Sequence, residues 1–195
     1  MAVRLQRLTG RALSETLDEI AALRIAVFRE WPYLYDGDTE YERGYLKRYL
    51  ESPRAIVVGA YREDRLVGVT TGTPLADHAG DFGQAFASTG LAISDIFYCA
   101  ESVLLPAFRG QGVGHAFFDA RETHAQESGF KTVCFCSVLR PEDHSERPLQ
   151  YRPLDAFWRK RGYEPLPDVI ASFSWKDLGE EAETRKPLQF WMRRL

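Results

Sequence analysis

Arg109-Gly-Gln-Gly-Val-Gly114 sets three glycines at alternate positions directly behind an arginine. Ahead of it runs the apolar segment Val103-Leu-Leu-Pro-Ala-Phe108. Behind it, His115-Ala-Phe-Phe-Asp-Ala-Arg-Glu-Thr-His-Ala125 carries a helical pattern. The glycines therefore sit where a strand turns into a helix. A helix start presents unpaired N–H groups and partial positive charge, worth roughly 0.3–1 kcal/mol per nearby anion. Glycine lets that backbone close on a phosphate with no Cβ in between. The stretch reads as a phosphate-binding turn, and its surroundings must say which phosphate.

Working outward, the totals are those of an ordinary globular chain. With 195 residues, 45% hydrophobic and 27% charged, the expectation is a single domain spanning 1–195 with a full core. A net charge of -3 gives no general attraction to nucleic acid or to anionic membrane. No apolar run approaches a membrane span, and the first residues interleave charge with apolar side chains, unlike a signal peptide. Three cysteines argue against a disulfide framework and for buried free thiols in the cytoplasm. The four histidines lack the cysteine or carboxylate spacing of a metal site, so no metal is expected.

Val3 to Leu8 alternates as a first strand, and a helix capped by Ser14 follows until Pro32. Next, Trp31-Pro-Tyr-Leu-Tyr-Asp-Gly-Asp-Thr-Glu-Tyr41 crowds aromatics against acids. Asp36-Gly37 marks a turn there, and Asp38 or Thr39 can cap a second helix through Tyr45 and Tyr49. Tyr33, Tyr41, Tyr45 and Tyr49 either pack these helices onto the domain or help line a pocket that accepts a cation. Ala55 to Tyr61 and Leu66 to Thr73 form a hairpin, and Pro74 to Gly90 is a polar connection. Ile93 to Leu105 is one long strand, and Lys131 to Leu139 is the strand after the glycine helix. A polar loop runs from Arg140 to Pro153, and Leu154 to Arg161 is a short helix. Val169 to Trp175 and Leu188 to Met192 are the final strands. This order predicts an α/β fold of the mixed-sheet α+β kind, with about seven strands and helices on both faces.

A P-loop needs Gly-x-x-x-x-Gly-Lys-Ser/Thr, and no lysine follows that spacing here. The dinucleotide fingerprint Gly-x-Gly-x-x-Gly fails too, since Gly114 comes one position early and lies mid-chain. The turn does match Arg/Gln-x-x-Gly-x-Gly/Ala, and it resembles the acyl-CoA pyrophosphate loop of the GNAT (Gcn5-related) N-acetyltransferase family. Leu104 to Gly114 is similar to that family's strand, proline-led turn and helix start. Gly162-Tyr163 behind the short helix is similar to its late Gly-Phe/Tyr ending.

The resemblance implies acetyl-CoA as acyl donor and a sheet whose central strands splay apart to hold it. The backbone of Val103, Leu104 and Leu105 would face the pantetheine arm as an added strand does. The amides of Arg109, Gly110, Gln111, Gly112, Val113 and Gly114 would hold the pyrophosphate, with the Arg109 side chain on phosphate or fixing the turn. An alkylamine of pKa about 10.4 is roughly one part in a few thousand neutral at pH 7, so a general base helps. The family's base position falls at Glu101, and the NH of Leu104 would polarise the carbonyl. The family's thiolate-protonating tyrosine falls at Trp158, an indole that cannot donate a proton as a phenol does. Tyr151 or another phenol takes that role, or the thiolate leaves unassisted, and Trp158 becomes part of the cofactor wall. The family's frequent asparagine after this strand is replaced by Arg140-Pro-Glu-Asp-His144, a loop placed over the cofactor with His144 in solvent.

The expected reaction is acetyl transfer to a primary amine of a small cationic metabolite. Trp31, Tyr33, Tyr35, Asp36 and Asp38 would line the acceptor side. Two other readings stand beside it: a catalytically degenerate GNAT domain that binds acyl-CoA or a partner, and a nucleotide-binding α/β protein. A monomer or a homodimer is expected, with the aromatic end strand Gln189-Phe-Trp-Met192 at a dimer contact.

Overall fold

The computed structural model describes residues 2–195. Its sheet runs β1 (Arg4–Arg7), β2 (Ile56–Arg62), β3 (Arg65–Pro74), β4 (Ile96–Tyr98), β6 (Thr132–Val138), β8 (Thr184–Arg194) and β7 (Glu164–Trp175), in that spatial order. Strand β5 (Ser102–Leu104) lies off this path and pairs only with β3. Among the described residues β4 and β6 form the one parallel pair, and the other paired strands are antiparallel.

Alternation along the strands gives the sheet two apolar faces. On one, Val57, Val69 and Val103 meet helices α1 (Gly10–Phe28) and α2 (Thr39–Glu51) through Ile20, Leu23, Leu46 and Tyr49. Tyr98, Cys134 and Phe190 meet α3 (Ala79–Phe86) through Phe82 and Phe86 on the same side. On the other face, Phe97, Val133 and Phe135 meet α4 (Val113–Glu127) and α5 (Asp155–Lys160) through Phe118, Phe157 and Trp158. The three cysteines are free thiols.

Four features differ from the sequence reading. Helix α1 begins at Gly10, a turn before Ser14, because Leu13 already packs in the core. The connection after β3 holds a 3-10 turn and α3, whose Phe82 and Phe86 are buried one helical turn apart. The last two strands are longer than their apolar cores, since backbone pairing continues beneath exposed polar side chains. Strand β8 is flanked by β6 and β7, and its Phe190 and Trp191 are core residues; they are not free for the expected dimer contact.

The decisive difference lies in the strand expected over Ile93 to Leu105. It begins as a 3-10 turn (Ile93–Asp95), pairs with β6 as β4, bulges at Cys99-Ala-Glu101, and leaves as β5 along β3. The split of this strand makes eight strands of the expected seven. Cys99 N–H donates to Cys134 O at 2.7 Å, and beyond that bond β5 turns to β3 while β6 continues along β8. The splay lies at the middle of the sheet.

Candidate active site

The splay opens a cleft of about 1450 Å³, larger than the roughly 300–1,000 Å³ of a typical single-ligand pocket. It runs continuously from the glycine turn past the bulge to the loop between α1 and α2.

On the turn side, Gly110 (φ 74°) and Gly112 (φ 84°) adopt left-handed backbone that other residues rarely hold. A Cβ at either would point into open space, so the turn presents bare backbone outward. Gly112 is the N-cap of α4, and Ala116 N–H is the donor that reaches back to its carbonyl at 3.1 Å. The amides of Val113, Gly114 and His115 thus precede the first helical bond, the arrangement that binds anions. Gln111 Nε2 donates to Ala107 O at 2.9 Å and braces the turn. Arg109 does the same: its Nε donates to Leu104 O at 3.0 Å and its Nη1 to Glu30 at 2.8 Å. The arginine fixes the turn.

Along β5 the register divides the three expected backbone contacts. Leu105 N–H donates to Val67 O at 2.9 Å, and Val103 opposes Val69, so both face β3. Strand alternation turns Ser102 and Leu104 the other way, into the splay. Of the three, Leu104 alone turns its backbone N–H into the splay, while Val103 and Leu105 spend theirs on β3.

Glu101 sits at the bulge, 9% exposed. Its carboxylate accepts from Tyr45 Oη and Thr71 Oγ1 at short range and from Tyr49 Oη at 3.2 Å. Arg24 Nη1 lies 2.7 Å from Glu101 Oε1, an ion pair outside hydrogen-bond geometry, while Arg24 Nε grips Glu42. Burial opposes the charge on Glu101. Arg24 and the hydroxyls of Thr71 and Tyr45 outweigh it and hold the carboxyl below its ordinary range. The Glu101 carbonyl is pinned too, by Thr70 Oγ1 (2.7 Å), Thr71 N–H (3.0 Å) and Arg121 Nη1 (3.0 Å).

The other expected residues divide by role. Trp31, Tyr33 and Tyr35 line the cleft. Asp36 pairs with Lys176 at 2.6 Å, and Asp38, exposed, caps α2 by accepting from Tyr41 N–H at 2.8 Å. Both carboxylates are thus committed to the protein. Tyr151 is half-buried in the cleft wall, edge-on to Trp31 at 6.0 Å, and burial raises its pKa, so it remains a phenol. His144, expected in solvent, is half-buried against Trp31 at 5.0 Å, because the loop after β6 folds onto the α1–α2 loop. Arg140 fastens that contact: it donates to Pro32 O and Tyr33 O at 2.9 and 2.7 Å and pairs with Asp177. Trp158 lies 4.9 Å from Phe135 and 5.1 Å from Trp191, an apolar wall. Cys136 contacts Tyr98 Oη at 3.2 Å; burial pushes its thiol up to about 12, so it offers no rival nucleophile.

Of the residues around Glu101, Tyr45 and Tyr49 were expected to pack α2 or help line a pocket, while Arg24, Glu42 and Thr71 escaped the sequence reading. Arg24 interrupts the apolar stripe of α1 between Leu23 and Ile25, and Glu42, Tyr45 and Tyr49 fall on one face of α2. Those were the available signals.

Residues 20–163 match the Acetyltransferase (GNAT) family. No curated protein matches the chain by sequence. Among solved structures, the ribosomal-protein-alanine N-acetyltransferase of Brucella melitensis aligns over 100% of both chains, with TM-score 0.60 and 14% identity. A GNAT-family acetyltransferase of Streptococcus pneumoniae does so with TM-score 0.59 and 11% identity. The PaiA N-acetyltransferase of Thermoplasma acidophilum, in complex with coenzyme A, also covers 100% of both chains, with TM-score 0.56 and 11% identity. At these identities the likeness is one of fold.

Proposed function

This chain belongs to the GNAT acetyltransferase family, and we propose that it moves the acetyl group of acetyl-CoA onto a primary amine of a small cationic metabolite. The observation that carries this reading is the departure of β5 from β6 beside the glycine turn. It leaves the Leu104 backbone edge and the α4 start facing one continuous cleft. When bound, acetyl-CoA supplies an activated acyl carbon and a thiolate leaving group.

The amides from Arg109 to Gly114 hold the pyrophosphate, while the Arg109 side chain keeps the turn closed on Leu104. Leu104 N–H points at the acyl oxygen and stabilises the charge that develops there. Glu101 draws the proton from the amine, and the Arg24 charge beside it favours its carboxylate form. Tyr151, kept a phenol by burial, gives a proton to the departing thiolate. Trp158 forms the apolar wall beside the pantetheine. Trp31, Tyr33 and Tyr35 receive the acceptor, and Asp36 and Asp38 hold their loop in place. The free thiols support a cytoplasmic setting, where reduced cysteines are the rule.

Calorimetric titration with acetyl-CoA, NAD and ATP tests the donor half. Binding of acetyl-CoA alone supports the reading; binding of NAD or ATP without acetyl-CoA removes it. A domain that binds acyl-CoA without turnover is the second reading, favoured by the indole of Trp158 where the family places a phenol.

A further inference from the structure

We propose that Tyr45 is the residue that meets the acceptor amine and hands its proton to Glu101. This rests on the amine-acetylation reading above.

The two Glu101 oxygens receive Tyr45, Tyr49 and Thr71 as donors and Arg24 as a cation. Three hydroxyls take hydrogen-bonding positions on the carboxylate, and the Arg24 guanidinium, 2.7 Å from Oε1, occupies the space beside the fourth. An incoming N–H therefore finds no vacant position there. It finds one on the Tyr45 oxygen, whose own proton is given to Glu101 Oε1. Tyr45 is half-buried and lines the cleft, whereas Tyr49, 4% exposed, is a core residue behind it.

The ring of Tyr45 cannot drift. The guanidinium carbons of Arg24 and Arg48 each lie 4.5 Å from its centroid. Several charged and titratable groups surround the pair. Arg24 comes from α1, and Glu42, Arg48 and Tyr49 from α2. His78 and Asp81 stand beside Arg48, and Arg121 of α4 lies on the Glu101 carbonyl. Burial and the Glu101 charge raise the Tyr45 pKa, so the phenol has a proton to pass.

In the step, one N–H bond of the ammonium breaks and its proton binds the Tyr45 oxygen. The Tyr45 O–H proton moves at the same time to Glu101. The nitrogen keeps the electron pair it needs for attack. A cation and an anion become two neutral groups, which a poorly solvated cleft favours. After the product leaves, Tyr45 gives its proton to water and takes back the one held on Glu101.

The test compares wild type, Tyr45→Phe and Tyr49→Phe with an amine that the wild type turns over, from about pH 7 to beyond that amine's pKa near 10.4. Both variants keep their rings, and thermal unfolding checks the fold. For Tyr45→Phe the relay predicts a kcat loss of about 10²-fold or more at neutral pH. The loss shrinks as the amine becomes neutral on its own, with KM for acetyl-CoA unchanged. Affinity of the CoA-bound protein for the amine falls by about 2–10-fold, the worth of one hydrogen bond. Tyr49→Phe, which removes a bond to the same carboxylate, changes kcat by less than about threefold. Equal losses in the two variants, a pH-independent loss, or unchanged amine affinity in Tyr45→Phe each overturn the relay. A wild type inactive on every amine overturns the acetylation reading and the relay together. An active wild type with an unaffected Tyr45→Phe overturns the relay alone.

Discussion

Arg24 Nη1 stands 2.7 Å from Glu101 Oε1 while its Nε holds Glu42, so one buried guanidinium serves two buried carboxylates. Helix α1 is thereby tied both to α2 and to the bulge at the mouth of the splay. Removing one member of a buried ion group leaves the others uncompensated, at a cost of about 3–5 kcal/mol. Arg24→Leu is expected to lose that much stability at neutral pH by chemical denaturation. The deficit should narrow in acid, where the stranded carboxylates protonate. A deficit below about 1 kcal/mol, the worth of an exposed pair, contradicts the hub.

The depressed pKa of Glu101 has a signed consequence. A carboxyl whose folded pKa lies below its ordinary 4.5 adds stability that is fully present above that value. The contribution is lost as pH falls from there through the folded pKa. Urea titrations of wild type between about pH 6 and pH 3 should show this loss, and Glu101→Gln should show a shallower slope. Identical slopes would mean that Glu101 is not the group responsible.

The same variant speaks to catalysis. Glu101→Gln is expected to lose about 10²-fold or more in kcat well below the acceptor's pKa, and progressively less above it. A ratio to wild type that stays flat across pH denies Glu101 its part in proton removal.

Gly112 holds φ 84° and presents open space where a side chain would stand. Aspartate tolerates left-handed backbone better than most residues, so Gly112→Asp should fold, but its carboxylate would face the pyrophosphate. Acetyl-CoA affinity is expected to fall at least about tenfold, or 1.4 kcal/mol, by calorimetry. Unchanged affinity would take the turn out of donor binding.

Asp38 offers a contrast. Its carboxylate accepts from Tyr41 N–H at 2.8 Å as the cap of α2. Asp38→Ala should cost about 0.5–2 kcal/mol of stability and leave amine KM within about twofold. A large rise in amine KM with unchanged stability would restore it as an acceptor ligand.

The glycine turn was legible because its chemistry is local: bare backbone, a helix start and a bracing arginine lie within six consecutive residues. The bulge was not. Cys99-Ala-Glu101 carries no glycine or proline, and the bulge exists only in its long-range pairing, where Ala100 and Glu101 together oppose the single Thr71 of β3. The carboxylate hub was hidden for a similar reason. Arg24 and Glu42 look like surface charges until α1, α2 and the sheet bring them to Glu101, 77 and 59 residues further along. Helix α3 was obscured by Gly80 and Gly83, although the Phe82 and Phe86 spacing was its signal.

Thiol release from acetyl-CoA over a panel of primary amines, with the product weighed by mass spectrometry, decides whether the protein turns its donor over. At least one small cationic amine is expected to release CoA thiol and gain one acetyl group in equal amounts. Tight binding of acetyl-CoA with no thiol released for any amine would contradict it and leave a domain that binds its donor without using it.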